Sequence, residues 1–162
     1  MDYINKIVVD LQDFARPLIP IASETNLKSI IDELIRNIPE NIQVSRQVEK
    51  STERIVADSD YVKRILTNLV SNAIQAMPSG GKLTVKAYHE RYGIAIAVAD
   101  TGVGIPEEAK SKLFTPLFTT KSKGQGFGLA VVKRLTEALG GTVIFESEAG
   151  KGTKFIVQLP MS

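Results

Sequence analysis

The 162-residue chain reads as an α+β domain with a layer of helices on one face of a mixed sheet. Three features of the sequence predict this. Apolar residues recur at helical spacing in several stretches and alternate at strand spacing in others. After an N-terminal helix the two periodicities interleave as helix, two strands, helix, two strands, a long polar connection, helix, two strands. The later strand pairs are joined by short turn signals at Glu90-Arg91 and Ala149-Gly150-Lys151-Gly152, which suit hairpins.

From Asp2 to about Leu18, Ile4, Ile7, Val8, Leu11 and Phe14 share one helical face, and the prolines at 17 and 20 stop the helix. That stripe suits either packing on its own domain or one helix of a dimerising hairpin. Ser23 or Asn26 can cap the next helix, with Leu27, Ile30, Ile31, Leu34 and Ile35 as its stripe and Pro39 beyond its end. Alternation around Ile42, Val44 and Val48, and again around Ile55 and Ala57, predicts two antiparallel strands joined near Lys50-Ser51. Asp58 or Asp60 then caps a long helix reaching about Met77, with Val62, Ile65, Leu66, Leu69, Val70, Ala73 and Ile74 on its buried side. Strands follow over Lys82 to His89 and Gly93 to Ala99. A short helix spans Glu107 to Leu113, another amphipathic helix Gly126 to Leu139, and a closing hairpin Thr142 to Glu148 and Thr153 to Leu159. Gly140-Gly141 fits a left-handed helix cap.

Composition narrows the function classes. The balance of 43% hydrophobic and 23% charged residues is that of an ordinary globular domain. A formal net charge of +2 gives no argument for a nucleic-acid or membrane partner. The absence of cysteine excludes disulfides, thiol nucleophiles and the usual zinc sites. No apolar run approaches the roughly 18 residues a membrane span needs, and the N-terminus lacks the form of a signal peptide. A cytoplasmic fragment is expected, whether or not the full-length protein is attached to a membrane. The sole histidine, His89, reads as a surface strand residue.

Three short patterns carry chemistry. Asn68 and Asn72 lie one helical turn apart, with Gln75 close by, and suit either a structural hydrogen-bond network or a shared ligand. Carboxamide oxygens are hard neutral ligands suited to Mg²⁺, which keeps several waters and is also held by substrate phosphates. At a strand end, Asp100-Thr101-Gly102-Val103-Gly104 offers a carboxylate that can accept from an exocyclic amine, and glycines that let a flat ring approach the backbone. Gly124, Gly126 and Gly128 before a helix offer backbone donors to phosphates.

The order of these patterns gives them their meaning. NLVSNAIQAM (Asn68 to Met77), DTGVGIP (Asp100 to Pro106), FTPLFTTK (Phe114 to Lys121), GQGFGLAVVKRL (Gly124 to Leu135) and GKGTKFIVQLP (Gly150 to Pro160) together resemble the N, G1, F and G2 boxes and the closing hairpin of sensor histidine kinase ATP-binding domains. These belong to the GHKL superfamily of gyrase, the heat-shock chaperone, histidine kinases and mismatch-repair ATPases, and the NAIQAM and FTTK runs resemble the nitrogen-regulation kinases. The resemblance covers roughly residues 26 to 160 and implies a Bergerat-type α/β sandwich with a long ATP lid. It implies ATP and Mg²⁺ as ligands, with Asn72 on the metal and Asn68 a second candidate for it. By the same likeness Asp100 recognises the adenine amine, Gly102, Gly104 and Ile105 shape the base pocket, and Thr153 sits near the adenine. Phe114 and Phe118 anchor the lid. Thr119, Thr120 and Lys121 meet the phosphates, with Gly124, Gly126, Phe127, Gly128 and Leu129 at the helix entrance beside them.

Two departures matter. Gln75 stands where many relatives have a base reaching the phosphates, and Lys121 is expected to supply that charge. Hydrolysing members carry a glutamate where this chain has Asn68, so negligible ATP hydrolysis is expected. The resemblance further implies transfer of the γ-phosphate to a histidine on a dimerisation domain, and a response regulator as the next partner. IVVDLQDFARP resembles the end of that domain's second helix. Residues 1–20 are therefore expected to be its remnant, residues 21–162 the catalytic domain, and the fragment a monomer or weak dimer without the acceptor histidine. Other readings are a nucleotide-responsive interaction module and a same-fold protein serine kinase.

Overall fold

The computed structural model describes residues 3–15, 17–116 and 128–160. Its elements are α1 (Tyr3–Ala15), β1 (Ser23–Asn26), α2 (Leu27–Ile35), β2 (Ile42–Val48), a 3-10 turn (Lys50–Thr52), β3 (Arg54–Ala57), α3 (Ser59–Gln75), β4 (Gly81–Glu90), β5 (Gly93–Asp100), α4 (Glu107–Lys110), α5 (Gly128–Ala138), β6 (Thr142–Glu148) and β7 (Gly152–Pro160). The main sheet has the order β2-β4-β5-β7-β6, parallel between β2 and β4 and antiparallel elsewhere. This is the mixed sheet with helices on one face that the sequence predicts.

The core lies between that sheet and the helices. Ile65, Leu66 and Leu69 from α3 and Val132 and Leu135 from α5 meet Leu83, Val85, Ile96, Val98, Phe155 and Val157 from the central strands. Each fully buried aliphatic side chain contributes roughly 1.5–3 kcal/mol. β5 is buried on both faces: on the side away from the helices Ala95 and Ala97 form a small cluster with Ile156, flanked by Tyr88.

Capping sets the helix ends. Asn26 Oδ1 accepts from the Ser29 amide at the start of α2. Asp58 caps α3, its Oδ1 accepting from the amides of Asp60 (3.1 Å) and Tyr61 (3.3 Å) while Oδ2 accepts from Ile21 N (2.8 Å). One buried carboxylate thus starts the central helix and ties down the chain that enters β1. α5 ends in a Schellman motif, with Gly140 at φ 82°, its amide donating to Glu137 O and the Gly141 amide to Thr136 O.

Several elements differ from expectation. β2 and β3 do not pair with each other. β2 joins β4, and the pairing runs on through Glu49 N to Ala87 O. The chain then bends at the buried Thr52, whose hydroxyl donates to Glu49 O (2.7 Å) and reaches Ala87 O (3.3 Å). β3 emerges in another direction and pairs with β1, an unpredicted strand, in a separate two-stranded sheet. α1 is shorter than expected, ending at Ala15, and α4 closes after Lys110 with turns beyond it. α5 is described from Gly128, so the predicted start at Gly126 lies outside the described residues.

Replacing Asp58 by alanine removes an N-cap and a long-range tie together. Asp58→Ala is expected to lower stability by about 2 kcal/mol in urea denaturation. Asp58→Asn, which keeps an acceptor oxygen, should lose less.

Candidate functional site

The loop after β5 is held on two sides by main-chain contacts. Val103 N donates to Ala76 O (3.0 Å) at the end of α3, and Gly150 N in the β6–β7 turn donates to Val103 O (2.7 Å). The glycines on either side of Val103 permit this approach. A Cβ at Gly102 would lie 2.2 Å from Ala76 O, and one at Gly104, where φ is 72°, would lie 2.2 Å from Glu148 O. The need for glycine at both positions is therefore met by packing of the chain on itself, and approach of a flat ring is not required to explain it. Asp100 Oδ1 accepts from Gly102 N at 2.8 Å, and Thr101 Oγ1 accepts from Lys82 N at 2.9 Å, which fixes the loop's first turn.

Asp100 is a buried carboxylate, 8% exposed, and belongs to a polar row crossing three strands. It pairs in register with Thr153 on β7, which pairs with Ser147 on β6. Ser147 Oγ lies 2.8 Å from Thr153 Oγ1 and accepts from Ile105 N at 2.9 Å. Lys110 Nζ donates to Ser147 O at 2.7 Å and pairs with Glu107 at 2.9 Å, so α4 is pinned to the end of β6. Asp100, Thr153, Ile105, Gly102 and Gly104 are thus brought together at one end of the sheet. Ser147 and Lys110 join them unpredicted, although Ser147 follows from counting back across the Ala149–Lys151 turn.

Asn68, Asn72 and Ala76 succeed one another at four-residue steps on α3, so both carboxamides share the helix face on which the Asp100 loop docks. Both asparagines are half-buried. Gln75 is on an exposed face, its amide 3.5 Å from the Ser71 hydroxyl. Phe114 packs edge-on against Phe145 (5.8 Å) and Phe155 (6.3 Å), anchoring the segment beyond α4 to the core, with Lys133 Nζ 5.9 Å from its ring centre. Ile105, Phe114 and Leu129 all pack on the same core, and a Cβ at Gly128, the first residue of α5, would meet no described residue within 4 Å. Phe118, Thr119, Thr120, Lys121, Gly124, Gly126 and Phe127 lie outside the described residues.

The donor set fits Mg²⁺ held chiefly by phosphates. Among the described residues no group of three or more His, Cys, Asp or Glu side chains could hold a metal alone. What α3 offers is neutral carboxamide oxygen, which suits an ion that keeps waters and shares phosphate oxygens.

A family model described as histidine kinase-, DNA gyrase B-, and HSP90-like ATPase matches residues 57–162. The chain belongs to this family. The chain is similar to the sensor histidine kinase ZraS of Escherichia coli (strain K12), 34% identical over 166 residues, which cover 99% of this chain and 36% of the relative. It thus spans about a third of the length of the curated relatives it matches. The solved, nucleotide-free catalytic domain of histidine kinase ThkA aligns with a TM-score of 0.76 and 32% identity, over 87% of this chain and 96% of that one. ThkA in complex with the response regulator protein TrrA aligns at a TM-score of 0.80 and 28% identity, over 98% of this chain and 47% of that one. The chain is an ATP-binding catalytic domain of the sensor histidine kinase type. Among the described residues of this kinase domain, no helix is long and apolar enough to cross a membrane.

The two glycines Gly102 and Gly128 separate packing from function in the kinase domain. Gly102→Ala drives a methyl into the end of α3 and is expected to lose at least about 2 kcal/mol of stability together with nucleotide binding. Gly128→Ala meets nothing within 4 Å among the described residues and should fall within about 0.5 kcal/mol of the parent chain. Thermal melts and nucleotide titrations of the pair check both.

Proposed function

We propose that the chain binds ATP with Mg²⁺ and donates the γ-phosphate to a histidine on a dimerisation domain lying outside residues 21–162. The observation that carries this reading is the junction at Ala76. There the helix bearing Asn68 and Asn72 meets the loop bearing Asp100, so an amine-accepting carboxylate and a hard-oxygen helix face belong to one site. Asp100 with Thr153 would take the adenine edge. Asn72, with Asn68 a turn away, would hold Mg²⁺, which when bound neutralises phosphate charge. Lys121, in place of a base at position 75, would meet the phosphates beside Thr119 and Thr120.

Phosphoryl transfer needs positioning and charge neutralisation more than covalent chemistry from the protein. The chain's own residues orient the nucleotide and leave the acceptor to another domain. An amide at Asn68 cannot accept the proton of an attacking water, so the site favours holding ATP over hydrolysing it. The N-terminal helix supports the division of labour. α1 exposes Ile4, Val8 and Leu11, 71%, 46% and 51% accessible, as the end of a dimerisation helix would. We read residues 1–20 as that remnant and a response regulator as the subsequent partner. The ThkA–TrrA complex supports the latter by likeness.

Titration with ATP, with and without Mg²⁺, tests the site. Asn72→Ala is expected to abolish the strengthening of ATP binding by Mg²⁺ while leaving metal-free ATP affinity within about fivefold, since one neutral side-chain contact is worth about 1 kcal/mol or less in water. Lys121→Ala should weaken ATP binding in both conditions. Mixing the chain with a separate histidine-bearing hairpin should give acid-labile phosphate on the hairpin. Robust steady-state hydrolysis by the chain alone would count against the kinase reading.

A further inference from the structure

Ser147 holds three polar groups at once. Its Oγ lies 2.9 Å from Ile105 N, 3.0 Å from Gly152 O and 2.8 Å from Thr153 Oγ1. A serine hydroxyl has one proton and two lone pairs. The Ile105 N–H occupies one lone pair. The Gly152 carbonyl has no proton to give, so the Ser147 proton goes to it. Thr153 is then the donor toward Ser147, filling the second lone pair. This is the proton arrangement that satisfies all three contacts together. It consumes the only proton of the Thr153 hydroxyl, and Thr153 presents lone pairs alone to anything else.

Thr153 is 7% exposed and stands directly across from Asp100, itself 8% exposed. A carboxylate is also an acceptor when ionised. Two neighbouring side chains at this end of the sheet therefore both present acceptor oxygens.

We propose that Ser147 is a specificity-determining positioning residue: by holding the Thr153 hydroxyl as an acceptor beside Asp100, it makes this edge select a purine with an exocyclic amine and reject one with a carbonyl at the same ring position. The proposal deepens the ATP reading above and rests on it. Without the Ser147 oxygen, the Thr153 proton is free to turn toward the ligand and donate to a carbonyl. A site built to bond a donor penalises its carbonyl isostere through repulsion between acceptors and unpaired buried groups. Ser147 governs part of that penalty without touching the base.

The test compares calorimetric titrations of ATP and inosine triphosphate, which carry an amine and a carbonyl respectively at the same purine carbon, both without Mg²⁺ so that the metal site is silent. The parent chain is expected to prefer ATP. Ser147→Ala should cut the ATP-to-ITP preference by roughly five- to tenfold, the value of about one hydrogen bond, and Ser147→Thr, which keeps a hydroxyl, should restore most of it. General loosening of the Ile105 turn would weaken both nucleotides in parallel and leave the ratio alone, so an unchanged ratio in folded Ser147→Ala overturns the proposal. If that variant does not fold, Thr153→Val decides: the same fall in preference is expected, and an unchanged ratio overturns the proposal. A parent chain that binds neither nucleotide overturns the ATP reading itself and the proposal with it, a result distinct from binding both with the ratio unmoved.

Discussion

The contact between Val103 N and Ala76 O is the constraint on which the site depends. It joins the last turn of α3 to the first turn after β5, and it forms only because Gly102 has no side chain to strike the same carbonyl. On one side of the contact lie the carboxamides of Asn68 and Asn72, on the other the carboxylate of Asp100. The contact adds to the core packing of α3 on β5 and to the approach of the Thr101 hydroxyl to Met77 Sδ (3.8 Å) in setting the two groups relative to each other. The reverse side of the loop is closed by Gly150 N on Val103 O, so the loop has little freedom left.

Rigidity of this kind lets a small polar set discriminate. A buried carboxylate already bonded to Gly102 N, a threonine opposite it in register and a serine behind the threonine are all fixed by sheet pairing and not by loop conformation. Polar groups held on strands need little reorganisation when a ligand arrives, and their requirements for donors are set in advance. The neutral helix face adds the opposite character, hard oxygen without charge. A metal there would be held by its substrate as much as by the protein.

Much of this was legible in the sequence. The helical stripes and caps were, because Asn26 and Asp58 stand at the boundary between a polar turn and an apolar repeat, where a side-chain acceptor is needed. The Asp100–Thr153 relation was legible by likeness to the kinase boxes, although its basis as a cross-strand pair is visible only in the fold. β1 was not legible. Its four residues, Ser-Glu-Thr-Asn, bury only Thr25, whose hydroxyl bonds Ala57 O, and carry no apolar alternation. The expected β2–β3 hairpin failed because the reversal near Lys50 looks like a turn but is a bend set by Thr52, whose contact with Ala87 depends on a strand that comes 35 residues later. Ser147 was overlooked for a similar reason. A lone serine among exposed glutamates gains meaning only by counting back across the β6–β7 turn, whose register faces it toward Thr153.

Pinning of α4 to β6 through Lys110 has an architectural consequence. The described chain is anchored up to residue 116 by Lys110 and Phe114, and from Gly128 onward by a helix packed against α3. Both anchors are contacts among the described residues. They hold α4, α5 and the polar row of Asp100, Thr153 and Ser147 in one frame, whose parts keep their places through strand register and core packing.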